Sequence, residues 1–294
     1  MRAGARVREE TGRASGTYRH HSVGQDGRIL EIRLEEQGGE GRTVFSYDDQ
    51  GHLLRSERSS NWEAYHAPHP SSLDRSAGSG HETITYEYNA QGQMIRAESE
   101  DFGAEDQVYR RVETYRYDAG RLITIEKEKG RPSKPENMWR LLYDGPRLKK
   151  ESHEQDGRST MSWEYSYDAS GRLVRAIETA DFLAEPWTYT YTYDSGARMI
   201  EKSVTVRGQT RPWDQFEYDR SGRVIRYVHS DLWDRYTYDA KGRIVVVESP
   251  SGGNRRFEYT DGCTAEMAAR FIPKRLEDSV GPAWRSMDLM YEWR

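Results

Sequence analysis

One cysteine in 294 residues, Cys263, excludes an intrachain disulfide and every cysteine-based metal centre. That usage suits a reducing cytosol. Aliphatic bulk is also scarce. Hydrophobic residues make up 35% of the chain and the mean hydropathy is -1.00, too little for a thick apolar core. No apolar run reaches the length that spans a bilayer as a helix. The basic start, MRAGARVREETGRASG, has no apolar stretch behind it, so no secretory signal is expected. Charge of one sign is not in excess either. A net charge of -5 offers no basic field to hold a nucleic-acid backbone. These absences set the expectation of a cytoplasmic chain without nucleic-acid or membrane partners, export by a signal-independent machine being the other route.

What the chain has is aromatic rings: 20 Tyr and 8 Trp beside 32% charged residues. Disorder would remove aromatics along with aliphatics, so these numbers describe a thin, wet structure held by ring packing and strand pairing. The rings recur. Aligned on one Tyr, the chain reads FSYDDQGHLL at Tyr47, TYEYNAQGQMI at Tyr88, TYRYDAGRLI at Tyr117, LLYDGPRL at Tyr143 and YSYDASGRLV at Tyr167. YTYDSGARMI at Tyr193, FEYDRSGRVI at Tyr218, YTYDAKGRIV at Tyr238 and FEYTDGC at Tyr259 follow, and HSVGQDGRILEI is a degenerate leading copy with Val23 in the Tyr position. From Tyr117 onward the spacing is 20 to 26 residues, and a gap of 41 between Tyr47 and Tyr88 marks an insertion. Such periods read as tandem arrays.

Each copy reads as a β-hairpin. A second aromatic stands two residues before the key Tyr (Phe45, Tyr86, Tyr115, Tyr165, Tyr191, Phe216, Tyr236, Phe257), and this period of two is a strand signal. The Asp opens a turn because its carboxylate can accept from backbone two residues on. The Gly of Asp-x-x-Gly supplies the positive φ that a short loop needs. Tyr167, Asp168, Gly171 and Arg172 are the type case, with Asp194, Asp219, Gly222, Asp239 and Gly242 in the equivalent turn positions. Repetition argues against catalysis by these groups, since an active site is a single constellation. The arginine after Gly (Arg121, Arg172, Arg223, Arg243) is expected to lay its stem over the aromatic row with its head in water or near a carboxylate.

The pattern resembles the YD repeat of the Rhs family, found in bacterial polymorphic toxins, toxin-complex components and animal teneurins. The resemblance covers roughly Thr17 to Cys263. It implies hairpins joined side by side into a β-ribbon that spirals into a hollow shell, which encloses a toxin domain in large members. This chain departs from the toxin carriers: it has no Asp-Pro dipeptide, about 30 residues follow Cys263, and ten hairpins are few for a large cocoon. The expected fold is therefore all-β, tandem antiparallel hairpins in an open, curved or spiralling sheet. A five-bladed β-propeller is the alternative. The expected organisation is a flexible segment 1–16, a repeat domain 17–263 with the insertion 56–83, and a partly helical cap 264–294 that covers an open edge.

Candidate chemistry lies where the repeat breaks. The insertion carries Trp62, Tyr65, His66, His69 and His81 among Ser, Gly and Pro. His66-x-x-His69 falls across prolines rather than on one helix face, and no clustered carboxylate supports it, so neither a metal nor a cofactor is expected. A hydrolase built around these histidines is the catalytic alternative. Cys263 as a nucleophile is weaker than Cys263 as a small packed residue. Trp163 and Trp187 lie an even number of residues before their key Tyr, Trp213 and Trp233 an odd number. In regular strands the second pair would point to the opposite face and be exposed, unless a bulge reverses the parity. Trp62, Tyr65, His66, His69, Trp213 and Trp233 are thus the candidate partner-binding residues. The segments ESEDFGAED and ETADFLAEP, from Glu98 and Glu178, add a faint longer repeat. The functional expectation is a non-catalytic module that binds a protein, within bacterial conflict systems a toxin or effector, as an immunity, scaffold or chaperone-like protein. Carbohydrate is the alternative ligand.

Overall fold

A computed structural model describes residues 3–11, 17–36, 39–62, 78–102, 108–129, 137–250, 254–260 and 263–264. Among them there is no helix. Ten strands come from the first half: β1 (Ala3–Thr11), β2 (Thr17–Gly24), β3 (Ile29–Glu36), β4 (Gly39–Tyr47), β5 (Leu53–Trp62), β6 (Gly78–Tyr88), β7 (Met94–Phe102), β8 (Val108–Asp118), β9 (Arg121–Lys129) and β10 (Asn137–Asp144). Ten more follow: β11 (Arg147–Gln155), β12 (Arg158–Tyr167), β13 (Leu173–Ala180), β14 (Trp187–Tyr193), β15 (Met199–Val206), β16 (Gln209–Tyr218), β17 (Val224–His229), β18 (Leu232–Tyr238), β19 (Ile244–Glu248) and β20 (Arg255–Tyr259).

All twenty belong to one sheet in which chain neighbours pair antiparallel, as the hairpin reading requires. The expectation of an open, spiralling sheet does not hold. β1 pairs with β20 from Val7↔Tyr259 to Thr11↔Arg255, so the order of pairing closes on itself. The physical reason lies in the segment expected to be flexible. Residues 3–11 form a strand that stands where a return strand for β20 would stand, and Thr260 N–H donates to Arg6 C=O to extend the ladder. Closure removes the open edges that the cap was expected to cover. Residues 265–294 lie outside the described residues, so the helical cap has no support. A propeller is excluded by the single continuous sheet.

The described residues fall into two compact units, one within 3–112 and 235–264 and the other within 113–234. In the first unit the buried row runs through Val7, Val23, Phe45, Ile84, Tyr86, Phe257 and Val247. In the second it runs through Tyr115, Ile125, Trp139, Leu141, Trp163, Ala176, Tyr189, Tyr191, Val204, Phe216 and Tyr227. The ring two residues before the key Tyr supplies Phe45, Tyr86, Phe257, Tyr115, Tyr191 and Phe216 among these positions. Burying one such ring is worth roughly 1.5–3 kcal/mol. The opposite strand face carries cross-strand ion pairs between exposed groups, such as Arg140–Glu154 at 2.7 Å, Lys150–Glu164 at 2.9 Å and Arg226–Glu217 at 2.9 Å.

The key Tyr departs from strict alternation. A register shift separates it from the preceding residue in copy after copy, at Ser46/Tyr47, Glu87/Tyr88, Ser166/Tyr167, Thr192/Tyr193, Glu217/Tyr218 and Thr237/Tyr238. A bulge of this kind re-aims a side chain. The ring is half-buried at the sheet rim instead of joining the core row.

Candidate functional site

The signature residues form a clamp that uses up their own chemistry. In the turn after Tyr167, Asp168 accepts from the backbone N–H of Arg172 at 2.9 Å and from its Nε at 2.7 Å. Gly171 N–H returns to Asp168 C=O at 2.9 Å, with Gly171 at φ 86. The same bonds recur in Asp194/Arg198, Asp219/Arg223 and Asp239/Arg243. In the turn YDSGAR the glycine stands one place early, and Ala197 itself takes the left-handed conformation at φ 63. Backbone N–H donation from the arginine, and then its guanidinium, holds the carboxyls of Asp168, Asp194 and Asp219 below the usual range.

Two copies keep the geometry while changing the residues. Asp48 accepts from His52 Nδ1 at 2.8 Å, and Asn89 donates to Gln93 Oε1 at 2.9 Å. The shorter turns at Asp118–Arg121 and Asp144–Arg147 leave no room for the five-residue clamp. Gly120 and Gly145 provide positive φ there instead.

Each clamp also grips the next hairpin. The key Tyr hydroxyl donates to a backbone carbonyl at the start of the preceding return strand: Tyr47 to Ile29, Tyr88 to Leu53, Tyr167 to Leu148, Tyr193 to Leu173, Tyr218 to Met199 and Tyr259 to Ile244, all at 2.6–3.0 Å. The guanidinium of one turn lies over the key Tyr of the next, 5.1 Å for Arg172 over Tyr193 and 4.8 Å for both Arg198 over Tyr218 and Arg243 over Tyr259. His52 stacks on Tyr88 at 4.7 Å in the same role. The expected arginine-over-aromatic contact is present, but the ring belongs to the following copy and is not in the core row.

Residues 138–260 match the family described as Teneurin YD-shell. The matched stretch is less than half of the chain. The matched stretch holds all four Asp–Arg clamps, and the hairpins before it repeat the Tyr-to-carbonyl bond at Tyr47 and Tyr88. No curated protein sequence matches the chain. Among solved structures it is similar to a porin-like protein from Bacteroides uniformis, with a TM-score of 0.40 and 12% identity over 87% of this chain and 96% of that one. It is also similar to the Photorhabdus luminescens Tc holotoxin pore, with a TM-score of 0.31 and 12% identity over 83% of this chain and 18% of that one. The chain thus spans about a fifth of the holotoxin chain. Neither likeness is close enough to carry an argument.

Sequence reading missed a second constellation in this chain, a belt of ionisable groups on the buried face of the second unit. Glu113, Glu151 and Asp214 are at most 2% exposed. Glu113 accepts from the Tyr115 hydroxyl at 2.6 Å and pairs with Lys127 Nζ at 3.0 Å. The Tyr165 hydroxyl donates to Glu151, and Tyr189 donates to Glu178 at 2.7 Å. Asp214 is the hub: Tyr227 and His229 both meet its Oδ1 at 2.7 Å, and Lys202 Nζ stands 3.7 Å from Oδ2. Lys202 also lies 4.8 Å from the Tyr189 ring centre. Burial pushes the Lys202 amine below its usual range, against the pull of Asp214, and burial raises the phenols of Tyr189 and Tyr191. A signal was present in the sequence. Glu113, Asp214 and Asp234 sit four residues before a key Tyr, where other copies place Trp139, Trp163 or Tyr189.

The candidate partner residues fall into three groups. Tyr65, His66 and His69 lie outside the described residues, and of Trp62 only its place at the end of β5 is described. Trp233 is half-buried at the start of β18. Trp213 sits at a bulge where β16 shifts register against Lys202/Ser203 of β15. The bulge undoes the expected parity, for its ring meets Trp187 at 6.3 Å and His229 at 5.3 Å, both on the side of the buried belt. Cys263 is buried with its thiol pushed up by burial, so it is a packed residue and not an activated nucleophile. No group of His, Cys, Asp and Glu among the described residues could hold a metal ion.

Proposed function

We propose that this shell module is non-catalytic and acts by engaging a protein partner, with a toxin or effector as the expected class. The observation that carries the reading is the fate of the signature residues. Their carboxylates, guanidinium groups and phenols are bonded to their own turn or to the neighbouring hairpin, so the repeated chemistry builds a wall. A wall of this kind functions through what it holds or touches.

Supporting this, the strand face away from the core is laced with balanced ion pairs, without the single-sign field that would favour nucleic acid. The test is recovery of the tagged full chain from native lysate across several salt concentrations, with stoichiometry read by native mass spectrometry. A protein recovered at fixed stoichiometry supports the reading. Recovery of the chain alone under every condition overturns it.

A further inference from the structure

We propose that the corner formed by Trp187, Trp213 and His229 is a subsite for a neutral saccharide residue, a ligand class separate from the protein partner above. Trp187 opens β14, Trp213 lies midway along β16 at its bulge and His229 closes β17. The rings meet edge to face at steep angles, 64° between Trp187 and Trp213 and 82° between Trp213 and His229, so they frame a corner. Each is half-buried, which fixes the ring while leaving part of it reachable.

The corner is preorganised. His229 Nδ1 is held by Asp214 at 2.7 Å, and Asp214 is itself buried and held by the Tyr227 hydroxyl. That bond directs the other imidazole nitrogen, Nε2, along the opposite edge of the ring. Trp213 C=O accepts from Ser230 N–H at 2.9 Å, which pins the bulge. Arg211 places its guanidinium 5.5 Å from the Trp213 ring centre, bringing donors beside the indole. Rings fixed in advance lose little freedom on binding.

The surroundings select the ligand class. An anion would face the carboxylates of Asp214 and of Glu178, which stands opposite Trp187 in the β13–β14 register. A cation would be repelled by the Arg211 guanidinium beside the Trp213 ring. An apolar peptide would need an aliphatic groove, whereas the neighbours here are Arg211, Asp214 and His229. A pyranose carries no charge, offers one C–H face to an indole and presents hydroxyls to imidazole and guanidinium. Mostly apolar walls with a few fixed polar groups are the usual composition of such sites.

Saturation-transfer NMR on the full chain tests this, using millimolar glucose, galactose, N-acetylglucosamine and their β- and α-linked trisaccharides. The expected result is transfer to the ring C–H protons of at least one sugar, weakened about tenfold by Trp213→Ala. Arg211→Ala, at an exposed side chain, should weaken binding while preserving the circular dichroism spectrum, which keeps the test valid if Trp213→Ala fails to fold. No transfer from any sugar, transfer unchanged in folded variants, or displacement of sugar by a basic or apolar peptide alone would overturn the proposal. None of these results bears on whether a protein partner co-purifies.

Discussion

The signature turns and the buried belt of the second unit are built from the same residue types, acids paired with cations and tyrosines, yet they work in opposite physical regimes. The turn carboxylates of Asp168, Asp194 and Asp219 lie at the wet rim, and their arginines are about two-fifths exposed. Each clamp is weak by itself because water screens it. It can be repeated without risk, since a lost clamp leaves groups that water can solvate. Asp214, Glu113 and Glu151 are dry. There an acid is tolerable only with its partners in place. Glu113, Asp214 and Asp234 stand where the copies at Tyr143, Tyr167 and Tyr193 carry rings. The cheap interaction therefore recurs unchanged from turn to turn, while the expensive one needs its own set of partners at each place.

The sharpest way to break this contrast is Asp214→Ala. It strips Lys202, His229 and Tyr227 of their shared partner and leaves a buried ammonium uncompensated. A loss of about 3–5 kcal/mol is expected by urea denaturation. A loss below 1 kcal/mol would mean that the belt is as wet as the rim.

Next in size is a pair of glycine changes. Gly171 and Gly120 both hold positive φ, 86 and 79, but a Cβ at Gly171 would come within 2.9 Å of Arg147 Nη2 whereas Gly120 faces open space. Gly120→Ala should cost roughly 1–2 kcal/mol of backbone strain. Gly171→Ala should cost more, because Arg147 must also leave its place over Tyr167. Equal losses in thermal unfolding would remove the grip between hairpins from the account.

Arg172→Ala should be milder, about 0.5–1 kcal/mol from the lost contact over Tyr193. The smallest effect belongs to acid. Asp168, Asp194 and Asp219 have folded pKa values below their unfolded ones, so their contribution is complete above the ordinary carboxylate pKa and fades as pH falls through the folded values. Stability of the wild type should drop below about pH 4 with a shallow slope. The Asp168→Asn variant should show a shallower slope still.

Much of the wall was legible in the chain order. A Tyr two residues after another ring, followed by Asp-x-x-Gly, specifies strand, turn and return strand through local rules, and the hairpins between Tyr47 and Tyr259 follow them. The bulge before each key Tyr was not legible, because an extra residue in one strand is defined only against its partner. That same ambiguity hid the side on which Trp213 lies. The belt was visible only as an irregularity, an acid in a ring position, and its meaning depended on which strands flank it. Lys202 meets Asp214 because β15 lies beside β16, not because of any spacing between them.

By itself the sequence determined the repeat unit, its turn chemistry and the all-β class, since these rest on side chains that act within a few residues of one another. Only the tertiary structure decided that β1 pairs with β20 and closes the sheet, that each arginine clamps the following hairpin, and that Asp214 gathers a lysine, a histidine and a tyrosine. Strand partnership across hundreds of residues is a balance of hydrogen bonds and burial that no local pattern encodes. Burial also turns the same carboxylate from a turn cap into a dry hub.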